Sequence, residues 1–203
     1  PNEKGLDRAL SVGVENFNIF FSPSEQFNLR NLGRRKKDAM IEYLRMLEKI
    51  PDSKVRVYLS VIFGCPFKGK ISDDVIYESI LEASLLGDTV VLCDTIGQAT
   101  KHDIQKICEY AEDFKAKFAL HLHHKPNESE RALALVEEAI AGGITEIDAS
   151  IGGLGGCPFI PGSSGNVATE QLVNLPGYDC GIDSDSLLPA LEWVSKRKQK
   201  VIL

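Results

Sequence analysis

The chain has 203 residues, of which 43% are hydrophobic and 26% charged, and its 23 Lys plus Arg against 29 Asp plus Glu give a formal net charge of −6. That is an ordinary globular composition, long enough to bury a sizeable core. The acidic balance, with no basic run denser than Arg34-Arg35-Lys36-Lys37, argues against nucleic-acid binding, and no apolar run approaches the roughly 18–20 residues of a membrane span.

The chain opens on Pro1-Asn2-Glu3-Lys4, with no apolar signal core and no initiating Met, so either something has been removed or this is a piece of a longer chain. Its five cysteines are odd in number and lack CxxC spacing. A reduced, cytosol-like compartment fits them better than a disulfide framework.

Along the chain, short β-branched or aromatic runs alternate with stretches of helical periodicity. The predicted strands are Phe17–Phe21, Val55–Val61, Thr89–Cys93, Phe118–His123 and Glu146–Ser150. Between the first two lies Lys36–Ile50, with Ala39, Met40, Tyr43, Leu44, Leu47 and Ile50 on one stripe. Asp73–Leu86, Lys101–Lys117 and Glu128–Ala141 repeat the pattern, with Ser72 as a helix N-cap and Gly142-Gly143 as a C-terminal stop. Ser186–Lys196 is a last amphipathic helix carrying Trp193. Alternation of strand and helix implies βαβ units and a parallel sheet in one domain, residues 1–203. Two architectures remain, a doubly wound open sheet and part of a (β/α)8 barrel, whose complete form takes about 250 residues. In both, function belongs on the loops after the carboxyl ends of the strands.

Several loops there carry chemistry. In His121-Leu122-His123-His124 the strand period of two puts His121 and His123 on one face, where two imidazoles can grip one metal ion. The competing reading is a strand end with incidental histidines. Asp94 follows Val90-Val91-Leu92-Cys93 and is either an acid/base or ligand-orienting carboxylate or, more commonly, a turn cap. From Gly152 to Gly165 six glycines in fourteen residues surround Cys157, in a loop that can serve as a mobile lid with a nucleophilic or acid/base thiol, or as a flexible connection with an inert one. The loop lacks the GK[ST] ending of a phosphate-binding loop and does not open a helix as the dinucleotide motif requires. Asn166 offers an amide oxygen suited to a hard cation. Lys68 and Lys70, in Gly64-Cys65-Pro66-Phe67-Lys68-Gly69-Lys70, can meet an anionic substrate or simply be solvated.

Taken together, Ile147-Asp148-Ala149-Ser150-Ile151-Gly152-Gly153-Leu154-Gly155-Gly156-Cys157-Pro158-Phe159 and Pro161–Glu170 resemble the signature of the 3-hydroxy-3-methylglutaryl-CoA lyase family. The Gly64–Lys70 loop and Asp94-Thr95-Ile96-Gly97 resemble it too, and the likeness runs to about residue 175. The resemblance implies a TIM-type barrel, of which this chain holds about five βα units, the family's fourth to eighth strands. It implies cleavage of hydroxymethylglutaryl-CoA to acetyl-CoA and acetoacetate, with Mg²⁺ or Mn²⁺ as cofactor. By resemblance His121, His123 and Asn166 are metal ligands, Cys157 is the catalytic lid thiol, and Asp94 is the aspartate near the substrate hydroxyl. His121 or Asp94 takes the hydroxyl proton, and Asn31 lies near the CoA moiety, with Lys68 and Lys70 as further substrate contacts. The family also implies an acyl-CoA substrate as partner, a homodimer, and a cytoplasmic or mitochondrial-matrix location.

The sequence departs from the family in three places. The Arg-Asp-Gly motif of the family's first strand, which supplies a metal-ligand Asp and a catalytic Arg, and a catalytic Glu from its second strand, have no counterpart here. The family's H-x-H continues Asp-Thr-Tyr-Gly, whereas here it continues His124-Lys125-Pro126-Asn127. The residue before Asp94 is Cys93 where the family has Gly. A five-strand piece of a barrel is expected to leave open edges at Phe17–Phe21 and Glu146–Ser150. A related aldolase or acyl-CoA lyase with another substrate, and a non-catalytic subunit binding a partner through those edges, are the rival readings.

Overall fold

In the computed structural model, which describes residues 1–125, 127–156 and 165–201, the β-branched runs become five strands of one parallel sheet. They are β1 (Asn16–Phe21), β2 (Lys54–Leu59), β3 (Thr89–Asp94), β4 (Lys117–Leu122) and β5 (Glu146–Asp148). Each strand pairs with its successor, in the order β1-β2-β3-β4-β5. A doubly wound sheet reverses direction at a switch point, and this one never does. The order is that of successive units of a (β/α)8 barrel, with β1 and β5 at the edges.

The crossovers are helical, as the periodicity predicts. α1 (Glu3–Leu10) precedes β1, α2 (Glu25–Asn31) and α3 (Lys36–Glu48) follow it, and α4 (Asp73–Ser84), α5 (Lys101–Glu112) and α6 (Ser129–Ala141) follow β2, β3 and β4. α7 (Thr169–Val173) and α8 (Leu188–Val201) come after β5. The sequence pattern did not signal α1, α2 or α7, which span eight residues or fewer. Three helix starts are fixed by local chemistry, the first by Asn2, whose side chain accepts the Gly5 N–H to open α1. Ser24 accepts the Phe27 N–H to open α2, and Thr100 and Asp103 form a capping box at α5.

Alternation along the strands sorts the two faces of the sheet. Val55, Val57 and Leu59 of β2 and Ile19 and Phe21 of β1 are buried in the main apolar core with residues of the helices, among them Tyr43, Ile80, Ile104 and Val136. The other face holds only a small apolar cluster, Val91, Cys93 and Ala119 with Tyr58 against it. Arg56, Tyr58, His121 and Asp148 lie on this inner face, where a closed barrel has its interior.

Some boundaries differ from expectation. β2 stops at Leu59 rather than Val61, because Val61 turns into the left-handed region at φ 55°. α5 ends at Glu112 instead of Lys117, and β5 spans only three residues. In α3 the buried stripe is Ala39, Tyr43 and Met46, so Met46 takes the place expected for Leu44, which is 53% exposed. Gly142-Gly143 does end α6, with Gly143 at φ 89°.

Candidate metal centre at the carboxyl ends of the strands

All candidate residues within the described chain sit at or beyond the carboxyl ends of strands. His121 is the fifth residue of β4, and His123 follows its end. Their Nε2 atoms face each other at 3.1 Å. Each ring's Nδ1 has its own acceptor: Asp148 Oδ2 at 3.3 Å from His121, and the Thr95 carbonyl at 3.1 Å from His123. An Nδ1 that faces an acceptor carries a proton, and in a neutral ring this leaves the lone pair on Nε2. With both rings neutral the two Nε2 lone pairs point at one another, an arrangement that a cation between them relieves. Two nitrogens each about 2.1 Å from one cation and at right angles to each other stand about 3 Å apart, which is the spacing found.

Asn166 completes the convergence. The backbone after the Gly-rich loop is sewn between the ends of β4 and β5: Gly165 O accepts from His124 N, Val167 N donates to Leu122 O, and Ser150 N donates to Val167 O. This puts Asn166 in a β-bridge with His123. Its Nδ2 donates to Leu154 O at 2.7 Å, while its Oδ1 is buried with no hydrogen-bond partner among the described residues. A buried amide oxygen without a donor costs about 1–3 kcal/mol unless a ligand uses it. Two facing imidazoles and an orphaned amide oxygen fit a divalent cation. Among the described residues no group of three His, Cys, Asp or Glu side chains converges, so no described residue adds an anionic ligand to the set.

Electrostatics keep the set ready. Burial, and then the neighbouring His121, push His123 down to about 4, so the ring is neutral near neutral pH. Burial alone would raise the Asp148 carboxyl, but the donors His121, Tyr58 and Arg56 outweigh it and hold it at about 2. Asp148 Oδ2 accepts the Tyr58 hydroxyl at 2.7 Å and Oδ1 accepts from Arg56 at 2.8 Å, while Arg56 also donates to the Tyr58 oxygen at 2.9 Å. Sequence reasoning did not single out Asp148, Arg56 or Tyr58. The only local signal is that Arg56 and Tyr58 are polar where β2 alternates with Val55, Val57 and Leu59.

Asp94 is placed differently from the two histidines. It is 1% exposed, and its oxygens accept the Gln98 and Ala99 N–H groups at 2.9 Å each. Burial raises its carboxyl above the ordinary value, against those two donors. The carboxylate builds the turn between β3 and α5, which Arg131 braces from α6 by donating to Gly97 O and Ala99 O. Through this turn Thr95 offers its carbonyl to His123. Asn31 ends α2, and Lys68 and Lys70 lie on the loop after β2; all three are exposed. Arg30 stacks over Phe67 in that loop at 4.1 Å. Cys157 lies outside the described residues. Cys93 is fully buried, and burial raises its thiol far above the ordinary range.

A family model described as HMGL-like matches residues 1–187. The chain belongs to the HMGL-like family. It is 32% identical to the hydroxymethylglutaryl-CoA lyase YngG of Bacillus subtilis, covering 98% of this chain and 69% of that protein. It is likewise 32% identical to the (R)-citramalyl-CoA lyase of Chloroflexus aurantiacus, over 96% of this chain and 63% of the relative. Among solved structures, a hydroxymethylglutaryl-CoA lyase of Acinetobacter baumannii in complex with coenzyme A and 3-methylmalate superposes with a TM-score of 0.84 at 32% identity, covering 94% of this chain and 66% of that one. The chain thus spans about two thirds of these HMGL-like relatives. The partial barrel that the strand order describes is the family's fold.

Proposed function

We propose that this chain is the five-strand portion of a divalent-metal-dependent carbon–carbon lyase that cleaves 3-hydroxy-3-methylglutaryl-CoA to acetyl-CoA and acetoacetate. The observation that carries the reading is the pair of inward Nε2 lone pairs beside the unpartnered oxygen of Asn166. His121, His123 and Asn166 would hold the ion, Mg²⁺ or Mn²⁺. When bound, it supplies Lewis-acid polarisation of the substrate's hydroxyl and carboxylate oxygens. The remaining positions of so hard a cation call for carboxylate oxygen, which the family's first strand provides.

This chain's residues do the rest by position. Thr95 and Asp148 fix the two rings. Asp94 and Arg131 fix the turn that carries Thr95. In the reaction the hydroxyl loses its proton, the adjacent carbon–carbon bond breaks, and its electron pair passes to the thioester's α-carbon, which must then be protonated. The resemblance alone assigns that proton to Cys157. Lys68, Lys70 and Asn31 are the proposed contacts to the acyl-CoA, a reading supported by their exposure on the segments that follow β1 and β2. Four free cysteines, Cys65, Cys93, Cys108 and Cys180, suit a reducing cytoplasmic or matrix compartment. Among the described residues no helix is long and apolar enough to cross a membrane.

A second reading, a lyase of the same chemistry for another 3-hydroxyacyl-CoA, is favoured by the equal identity to the citramalyl-CoA lyase and by His124-Lys125-Pro126-Asn127 after the histidine pair. Product formation by the whole protein from hydroxymethylglutaryl-CoA and from citramalyl-CoA, with Mn²⁺ present, separates the two. Turnover of the first supports the proposal. Turnover of citramalyl-CoA alone replaces it with the second, and turnover of neither removes both substrates.

A further inference from the structure

The inner face of the sheet brings together side chains from three strands that no local motif links. Arg56 and Tyr58 are two residues apart on β2 and so share a face. Asp148 on β5 is the register partner of His121 on β4. Its carboxylate is the hub, with Arg56 on Oδ1 and both Tyr58 and His121 on Oδ2. Arg56 is bound in turn to Tyr58, which closes a ring of hydrogen bonds. The positive guanidinium offsets the carboxylate, so the group sits in a half-buried interior without net charge.

We propose that Asp148 is the positioning residue for His121. It accepts the Nδ1–H hydrogen bond, which fixes the tautomer and the ring's direction so that the Nε2 lone pair is presented to the site. Arg56 and Tyr58 hold Asp148 for that task. His123 obtains the same service from a backbone carbonyl, that of Thr95, which no side-chain substitution deletes. His121 depends on a side chain and is the adjustable member of the pair. The value of this hold to metal binding rests on the metal reading given above; the hold itself does not. Outer partners of this kind typically change metal affinity by about 10- to 100-fold.

The test reads the ring directly. Long-range ¹⁵N–¹H correlation spectra of the metal-free chain, at mildly alkaline pH, report which imidazole nitrogen carries the proton. The expected result is Nδ1–H for both His121 and His123 in the wild type. In Asp148→Ala, His121 alone should shift toward the Nε2–H form, while His123 serves as the internal control. Tyr58→Phe, which keeps the carboxylate and removes one of its donors, should give a smaller shift in the same direction and serves if Asp148→Ala does not fold. Asp88→Ala controls for a merely structural effect. It removes a carboxylate that accepts from Val55 N at the opposite end of the sheet, and it should leave both tautomers unchanged. Mn²⁺ titration of the same variants should show the 10- to 100-fold weakening, about as expected of an outer partner, for Asp148→Ala only. A His121 that keeps Nδ1–H in both Asp148→Ala and Tyr58→Phe, or that carries Nε2–H in the wild type, would overturn the proposal and leave the metal reading intact. A tautomer shift without Mn²⁺ binding by the wild type would support Asp148's hold on the ring and overturn the metal reading instead.

Discussion

His121 and His123 meet Nε2 to Nε2 across 3.1 Å, with each ring's other nitrogen already committed to an acceptor. Neutral imidazoles in that state cannot donate to each other. In that state the contact favours a cation between the rings, and the unpartnered Asn166 oxygen, from a different segment, is a further acceptor for it.

Asp94 allows structure and chemistry to be separated. Asp94→Ala leaves the buried Ala99 N–H without its acceptor, and should destabilise the chain by about 2 kcal/mol as an unsatisfied buried donor does. Asp94→Asn keeps one acceptor oxygen and should cost less. Urea denaturation of the two variants checks the order. If Asp94 also acts on the substrate hydroxyl, the whole protein carrying Asp94→Asn should lose turnover while remaining folded. Retained turnover would confine Asp94 to the turn.

Gly165 is required for space alone. A Cβ there would stand 1.6 Å from the Gly153 carbonyl oxygen, across the base of the Gly-rich loop. Gly165→Ala should push Asn166 away from His123 and cost about 1–3 kcal/mol by overpacking. Thermal denaturation and Mn²⁺ titration together check this, because the variant should lose both stability and affinity. Unchanged melting would mean the two backbone segments separate freely.

The cysteines should differ sharply in reactivity. The Cys93 thiol is buried, and its ionisation is pushed up by that burial and by the Asp148 charge. Cys180 is partly exposed. Brief iodoacetamide treatment of the native chain, read by peptide mass spectrometry, should alkylate Cys180 and spare Cys93. Early labelling of Cys93 would mean that the inner face of the sheet opens readily to solvent.

How far the sequence discloses this depends on how local each signal is. Val55, Val57 and Leu59 announce a strand by alternation, and His121 and His123 announce a shared face by the same period. Those are properties of adjacent residues. Leu44 misleads because periodicity fixes the stripe only to within a residue, and it is Met46 that enters the core. Asp94 looks the same to the sequence as a ligand or as a turn cap; the bonds to Gln98 and Ala99 show that it builds the turn. Asp148 was visible merely as part of a motif, because its meaning depends on Arg56, 92 residues earlier in the chain. Strand register brings them together, and register is not local. Asn166 is a candidate ligand by its residue type and by resemblance, while its orphaned oxygen is a fact of packing alone.

The central claim is that His121, His123 and Asn166 form a preorganised divalent-cation site. Calorimetric titration of this chain with Mn²⁺, beside His123→Ala, tests it most directly. The account predicts saturable binding by the wild type that is abolished in His123→Ala while the fold, monitored by circular dichroism, is retained. Absence of binding by the wild type, or equal binding by the variant, would contradict it.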